Sequence, residues 1–359
     1  MRFNIKIIIL KKLYNFFWIL ALINIFFSTN NLHANTFSIN DIEISTPFEI
    51  NFNKNKIIDE GFIEAFNELI LLTVKTKDQK KLSQIRLSTI KGMIETFSIN
   101  EEKFIDEIYY LNVNVSFNKK KFFELLESKN IFPSIPNKKN ILFIPIILDQ
   151  NKNEILMFSE NYLFNNWNLN KKKYHLLNYI LPTEDLDDFN LIRHKSNNLE
   201  NYDFLEIIKK YNLKSYIIMI IFKKDQEIKI LNKIHLSGSM DLQNLKFKDL
   251  NLNNKDELEK LIENLKIIYE NYWKSKNEIN TSVKLSLTIS IDNHDNVKIS
   301  NFEKTLNNLD FIHNFYIYKI NNKKNFYKIV FNGSPDNFLK IMRKNNYKFE
   351  TQYKIWHLK

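Results

Sequence analysis

The sequence has 359 residues, 44% of them apolar and 14% aromatic, which excludes global disorder and predicts two or three domains rather than one core. Its formal charge of +11 comes from lysines spread along the chain beside acids, as from Lys255 to Lys260. That is a solvated surface, without the basic and aromatic patch a nucleic-acid partner requires.

Cysteine is absent. Disulfides, thiolate zinc sites, a thiol nucleophile and a lipid-modified amino terminus are therefore excluded, and stability must come from core burial.

Residues 1–34 read as a secretory signal peptide. Lys6, Lys11 and Lys12 precede an uncharged apolar run from Leu13 to Phe27, followed by polar residues and Ala34. The run is short for a membrane span, which takes about 20 residues. Cleavage after Ala34 and retention as an anchor leave the rest of the chain on the same side of the membrane, so the expected location is the periplasm. Contact with the membrane is expected through this segment alone.

The first expected domain, residues 35–132, opens with alternation at Ile39, Ile42 and Ile44, a half-buried strand. Ile57, Ile58, Phe62, Ala65, Phe66, Leu69 and Ile70 then recur at helical spacing. A second helix is predicted near Leu82 to Phe97. Tyr109, Leu111, Val113, Val115 and Phe117 alternate as a strand, and Lys119 to Lys129 reads as a helix. The order implies an α+β sandwich.

Pro133 and Pro136, with the polar residues after them, predict a linker. The second domain, 137–273, is read as α/β. It starts with a continuous apolar run from Ile141 to Leu148, as a strand buried on both faces would. Helices are predicted around Glu160 to Trp167 and Tyr202 to Tyr211. Ser215 to Phe222 and Glu227 to Leu236 read as a hairpin, and Asp256 to Trp273 as an amphipathic helix.

Lys274 to Ser282 predicts a second linker. The last domain, 281–359, has the order βαββαβ, the split-βαβ pattern of ferredoxin-like sheets. Ser334 and Pro335 supply the cap and first position of its second helix, and Glu350 to Leu358 its last strand. The whole is thus expected to be an α+β, multi-domain chain.

The chain resembles a proteobacterial exported family known as domain of unknown function 2066. The resemblance rests on the exported start, the strand–helix opening, Ile141-Leu-Phe-Ile-Pro145, Glu160-Asn161 with Trp167, and Tyr179-Ile-Leu-Pro-Thr-Glu-Asp185. More loosely, the first two domains resemble modules of flagellar assembly protein T. The middle one is also similar to the amino-terminal module of the Tol-system propeller protein. These similarities imply binding or scaffolding and carry over no functional residue.

Candidate chemistry is sparse. The seven histidines, at 33, 175, 194, 235, 294, 313 and 357, form no i, i+3 or i, i+4 pair for a metal. Glu184, Asp185, Asp187 and Asp188 are the one dense acidic cluster. Such carboxylates suit acid–base work or calcium, but the glycine of a calcium loop is missing. Acids in the first turn of a helix begun by Pro182 and Thr183 are the simpler reading.

Ser237-Gly238-Ser239 lacks the flanking glycines of a nucleophile turn, and four glycines cannot build a phosphate loop. Trp167 and Trp273 are expected in the core. No residue is assigned a catalytic, cofactor-binding or metal role. The function expected is a non-enzymatic envelope protein that binds another envelope protein; the alternative is a hydrolase using the Glu184–Asp188 carboxylates.

Overall fold

The computed structural model describes residues 37–50, 52–169, 175–225, 227–236, 238–281, 283–309 and 311–359. The expected signal segment, 1–34, and Ser237 lie outside the described residues. Within them the chain is an α+β, multi-domain fold with three sheets.

The first sheet is antiparallel in the order β1-β3-β2, from β1 (Ser38–Pro47), β2 (Ile94–Ile105) and β3 (Ile108–Phe117). The alternation in β3 places Tyr109, Leu111, Val113, Val115 and Phe117 on the buried face. Helix α1 (Lys54–Thr73) lays Phe62, Ala65, Phe66 and Leu69 on that sheet. Each large apolar side chain so buried contributes roughly 1.5–3 kcal/mol of transfer free energy. The two layers meet at Gly61, where a Cβ would come within 2.9 Å of the Ile44 side chain. Short helices α2 (Thr76–Gln79) and α3 (Leu87–Met93) follow, and α4 (Lys119–Ser128) closes the unit.

The second predicted helix is a misreading in its last part. It stops at Met93, and β2 begins at Ile94. Ile90, Met93, Ile94 and Phe97 mimic helical spacing, whereas β2 is exposed on both faces and shows no period of two. It pairs with β3 as a hairpin through the Asp106–Glu107 turn, whose residues both have positive φ.

The middle sheet holds β4 (Lys139–Asp149), β5 (Glu154–Leu156), β6 (Leu177–Ile180), β7 (Tyr216–Lys224), β8 (Glu227–His235) and β9 (Asp241–Lys248). Its order is β5-β4-β7-β8-β9, with β6 also on β4. Ile141 to Ile147 is buried on both faces, as the apolar run predicts. On one face lies α8 (Lys255–Lys276), which is preceded in the chain by α5 (Tyr162–Asn166), α6 (Leu186–His194) and α7 (Leu205–Lys209). Helices α6 and α7 cover the other face through Ile192, Ile207 and Ile208. Strand β9 was not anticipated; its apolar and polar residues alternate weakly at an open edge.

The two expected linkers are not exposed tethers. Ser134, Ile279 and Thr281 are buried, and Ser134 forms an antiparallel bridge with Glu278. Ser134 N donates to Thr73 O, Ile135 N to Asn277 O and Ile279 N to Pro133 O. Backbone groups of both segments therefore pair within the protein. One apolar cluster consequently runs from the first sheet into the α8 face of the middle sheet.

The third sheet has its own core around Phe302, Tyr327, Ile329, Phe331 and Phe338. Its order is β11-β12-β10-β14-β13, from β10 (Lys284–Asp292), β11 (Ile312–Ile320), β12 (Lys324–Asn332), β13 (Phe349–Glu350) and β14 (Trp356–Leu358). Helices α9 (Asn296–Asn308) and α10 (Pro335–Lys344) supply its second layer. The expectation of one last strand from Glu350 to Leu358 is corrected here. Residues 349–358 form a short hairpin, and its returning arm β14 lies parallel to β10. The polar stretch after Glu350 leaves the sheet and turns the chain back.

Candidate functional site

The acidic cluster is a capped helix start. Asp185, one step before α6, accepts hydrogen bonds from Asp187 N at 2.9 Å and Asp188 N at 3.2 Å. The helix therefore begins at Leu186, later than Pro182 and Thr183, with Asp187 and Asp188 in its first turn. Lys210 bridges the cluster, donating to Asp185 at 2.8 Å and Asp188 at 2.7 Å. The Lys210 ammonium, with the Asp188 backbone N–H, holds the Asp185 carboxyl below its usual range. A group stabilised as its anion is a poor proton donor. Glu184 points elsewhere and accepts from Ser159 N.

The tryptophans are core groups. Trp167 stacks on Phe143 at 4.0 Å, and Trp273 donates its indole N–H to Asn137 O at 2.7 Å. Gly238 has φ +88, consistent with a turn. Among the described residues no group of three or more His, Asp or Glu is arranged to hold a metal.

Sequence reasoning missed one convergence, Ser290, Asp292 and His357, because His357 lies far from the other two in the chain. Ser290 Oγ is 3.2 Å from His357 Nδ1, and His357 Nε2 is 3.8 Å from Asp292. Lys324 Nζ also faces Nδ1, at 3.4 Å. An ammonium only donates, so Nδ1 is an acceptor there. Ser290 is buried in the middle of β10, opposite Phe326 on β12 and His357 on β14. Ser290 is only 4% exposed and its Oγ already faces Trp356 O at 3.3 Å as well as His357, so an acyl group has no approach to Oγ at the roughly 3–3.5 Å that attack requires. The triad-like set pins β14 to β10.

One feature presents a surface to a partner, the edge of the third sheet. Strand β11 is bonded to β12 alone, and Tyr316, Ile317, Tyr318 and Ile320 are 49%, 40%, 46% and 65% exposed. Lys319 is the single charged residue from Phe315 to Ile320, and its ammonium sits 5.7 Å from the Phe326 ring. Edge β2 also exposes Phe97, Ile99, Phe104 and Ile105, but it carries Glu95, Glu101, Glu102 and Lys103 among them. Charges on an edge discourage pairing, so β11 is the more adhesive of the two.

A buried polar belt runs along α8, facing the middle sheet. Glu270 accepts from Leu176 N at 3.0 Å and Leu177 N at 2.9 Å, which anchors the start of β6. His175 Nδ1 stands 3.6 Å from the same carboxylate oxygen. Tyr269 donates to Asn232 on β8. Burial pushes the Tyr269 and Tyr179 phenols well up, so both are neutral hydroxyls.

No protein-family description and no curated protein sequence matches this chain.

Proposed function

We propose that the chain is a non-enzymatic protein of the cell envelope, exported to the periplasm, that binds or scaffolds another envelope protein. The exported location rests on the basic, apolar and Ala34-ended layout of residues 1–34. The observation that carries the binding role is the open β11 edge. It offers unpaired backbone groups and a run of exposed Tyr and Ile side chains, the two requirements for adding a partner's strand. The carboxylate hydrolase is the weaker reading, because Lys210 and the α6 backbone occupy the acids it would use.

A photoactivatable residue in place of Tyr318, in cells making the full chain, tests this. The expected result is a crosslinked envelope protein that disappears when Ile317 and Ile320 are both changed to Lys, with unfolding unchanged. Capture that is indifferent to that pair of substitutions would overturn the edge-docking role. A reporter fused after Asn35 that stays in the cytoplasm would overturn the location.

A further inference from the structure

Lysines such as Lys255 and Lys260 stand beside acids in the sequence, but those at the β11 edge do not. From Phe311 to Pro335, the hairpin of β11 and β12 with its flanks, there are four lysines, Lys319, Lys323, Lys324 and Lys328, and no Asp or Glu. Lys324 has Asp292 of β10 at 3.8 Å. Lys319, Lys323 and Lys328 are exposed, and among the described residues none of the three forms a salt bridge. The open edge thus carries a concentrated positive charge that the fold leaves uncompensated.

The register sorts this charge onto one face. Residues opposite each other in an antiparallel pair point the same way, and neighbours along a strand alternate. Phe315 and Ile317 oppose Ile329 and Tyr327, which are fully buried under the helices. Tyr316 opposes Lys328 and therefore shares the other, uncovered face with it. The irregularity between Ile317 and Lys319 sets Lys319 opposite Phe326, two residues from Lys328 and so on the same uncovered face. A strand added beside β11 would meet lysines with its side chains on that face and apolar groups with the alternate ones.

We propose that the partner segment accepted by β11 is an acidic strand, alternating Asp or Glu with apolar residues. Its carboxylates face Lys319 and Lys328, and its apolar side chains lie beside Phe315 and Ile317. This rests on β11 being a docking edge and adds what docks there. The unpaired backbone of β11 selects a peptide among polyanions, since a peptide returns N–H and C=O groups at strand spacing. A second copy of this chain is disfavoured, because it would set one lysine-bearing hairpin against another.

Fluorescence anisotropy on the full chain tests this with labelled strand peptides in which valine alternates with glutamate, with serine or with lysine. The glutamate peptide is expected to bind saturably and about tenfold more tightly than the serine peptide at low salt, by a margin that shrinks as salt rises. The lysine peptide is expected not to bind. Lys319→Glu with Lys328→Glu, both at exposed positions, should invert the order of the glutamate and lysine peptides while leaving thermal unfolding unchanged. The outward amides of β11 should exchange more slowly in the bound state, as strand addition requires. Equal affinity for the glutamate and serine peptides, or an order that the double substitution does not move, overturns the acidic partner and leaves edge docking standing. Absence of binding by all three peptides also overturns it, and overturns edge docking only when crosslinking from Tyr318 fails as well. Oligothymidylate that displaces the glutamate peptide and binds as tightly, without slowing the β11 amides, would make the hairpin a general polyanion surface and overturn the proposal.

Discussion

The ammonium of Lys274, near the end of α8, donates to the carbonyl oxygen of Val74 at 3.1 Å and also to that of Leu71. A side chain of the middle region thereby satisfies carbonyls that the carboxyl end of α1 leaves unpaired. Lys75 with Glu278, and Thr76 N with Asn271, add exposed or half-buried links beside it. This buried contact makes the first two regions one structural body.

Its consequence is a pH dependence. Burial pushes the Lys274 amine down from 10.5 to about 8, with Glu270 opposing. The unfolded chain keeps that proton up to the ordinary value, so it binds more protons than the fold in the interval between. Stability therefore rises with pH through that window, and the contribution is lost as pH falls through about 8. Tyr109, whose hydroxyl is pushed up to about 12 by burial and by Glu102, acts with the opposite sign at higher pH. Urea unfolding between pH about 8 and about 10 should show a rise in the wild type that Lys274→Met lacks, on the order of 1–3 kcal/mol. Parallel curves for the two proteins would refute this.

Asn161 is the second prediction. It is fully buried ahead of α5, and its Oδ1 accepts from Leu163 N and Phe164 N. Its Nδ2 donates to Pro145 O at 3.0 Å and Leu156 O at 3.3 Å. Pro145 lies on β4 between the stretches paired with β6 and β5, so the amide covers a gap in the sheet. Asn161→Ala removes a helix cap and strands two carbonyls, and should cost roughly 2–4 kcal/mol. Asn161→Asp keeps the cap but loses the two donors, and is expected to be damaging too. A thermal shift within error for either variant would contradict this role.

The third prediction concerns modularity. Residues 281–359 enclose a separate core, while the first region shares one with the middle. The carboxyl-terminal fragment should unfold cooperatively on its own, with modest stability, since about 80 residues is marginal for one core without disulfides. A fragment of residues 37–136 should not, because it loses the Lys274 contact and the apolar cover of α8. Calorimetric scans of both fragments decide the matter. The reverse pattern would place the folding boundary elsewhere.

Elements with strong local patterns were legible from the chain alone. The alternation in β3, the double-sided burial of Ile141 to Ile147, the apolar stripes of α1 and α8, and the Ser334–Pro335 start of α10 all follow from period and capping chemistry. The acidic cluster was likewise legible as a helix start, because side chains that cap act within three residues of themselves. Features that depend on pairing or packing beyond a few residues emerge only in the folded chain. Strand β2 exists because the next strand, β3, folds back on it as a hairpin, against a local spacing that looks helical. The polar linkers became an interface because backbone pairing and Lys274 satisfy them. The Ser290–His357 contact and the Glu270 bonds to residues 176 and 177 unite residues tens of positions apart. Periodicity reports which side of an element is buried, and only chain closure reports what it is buried against.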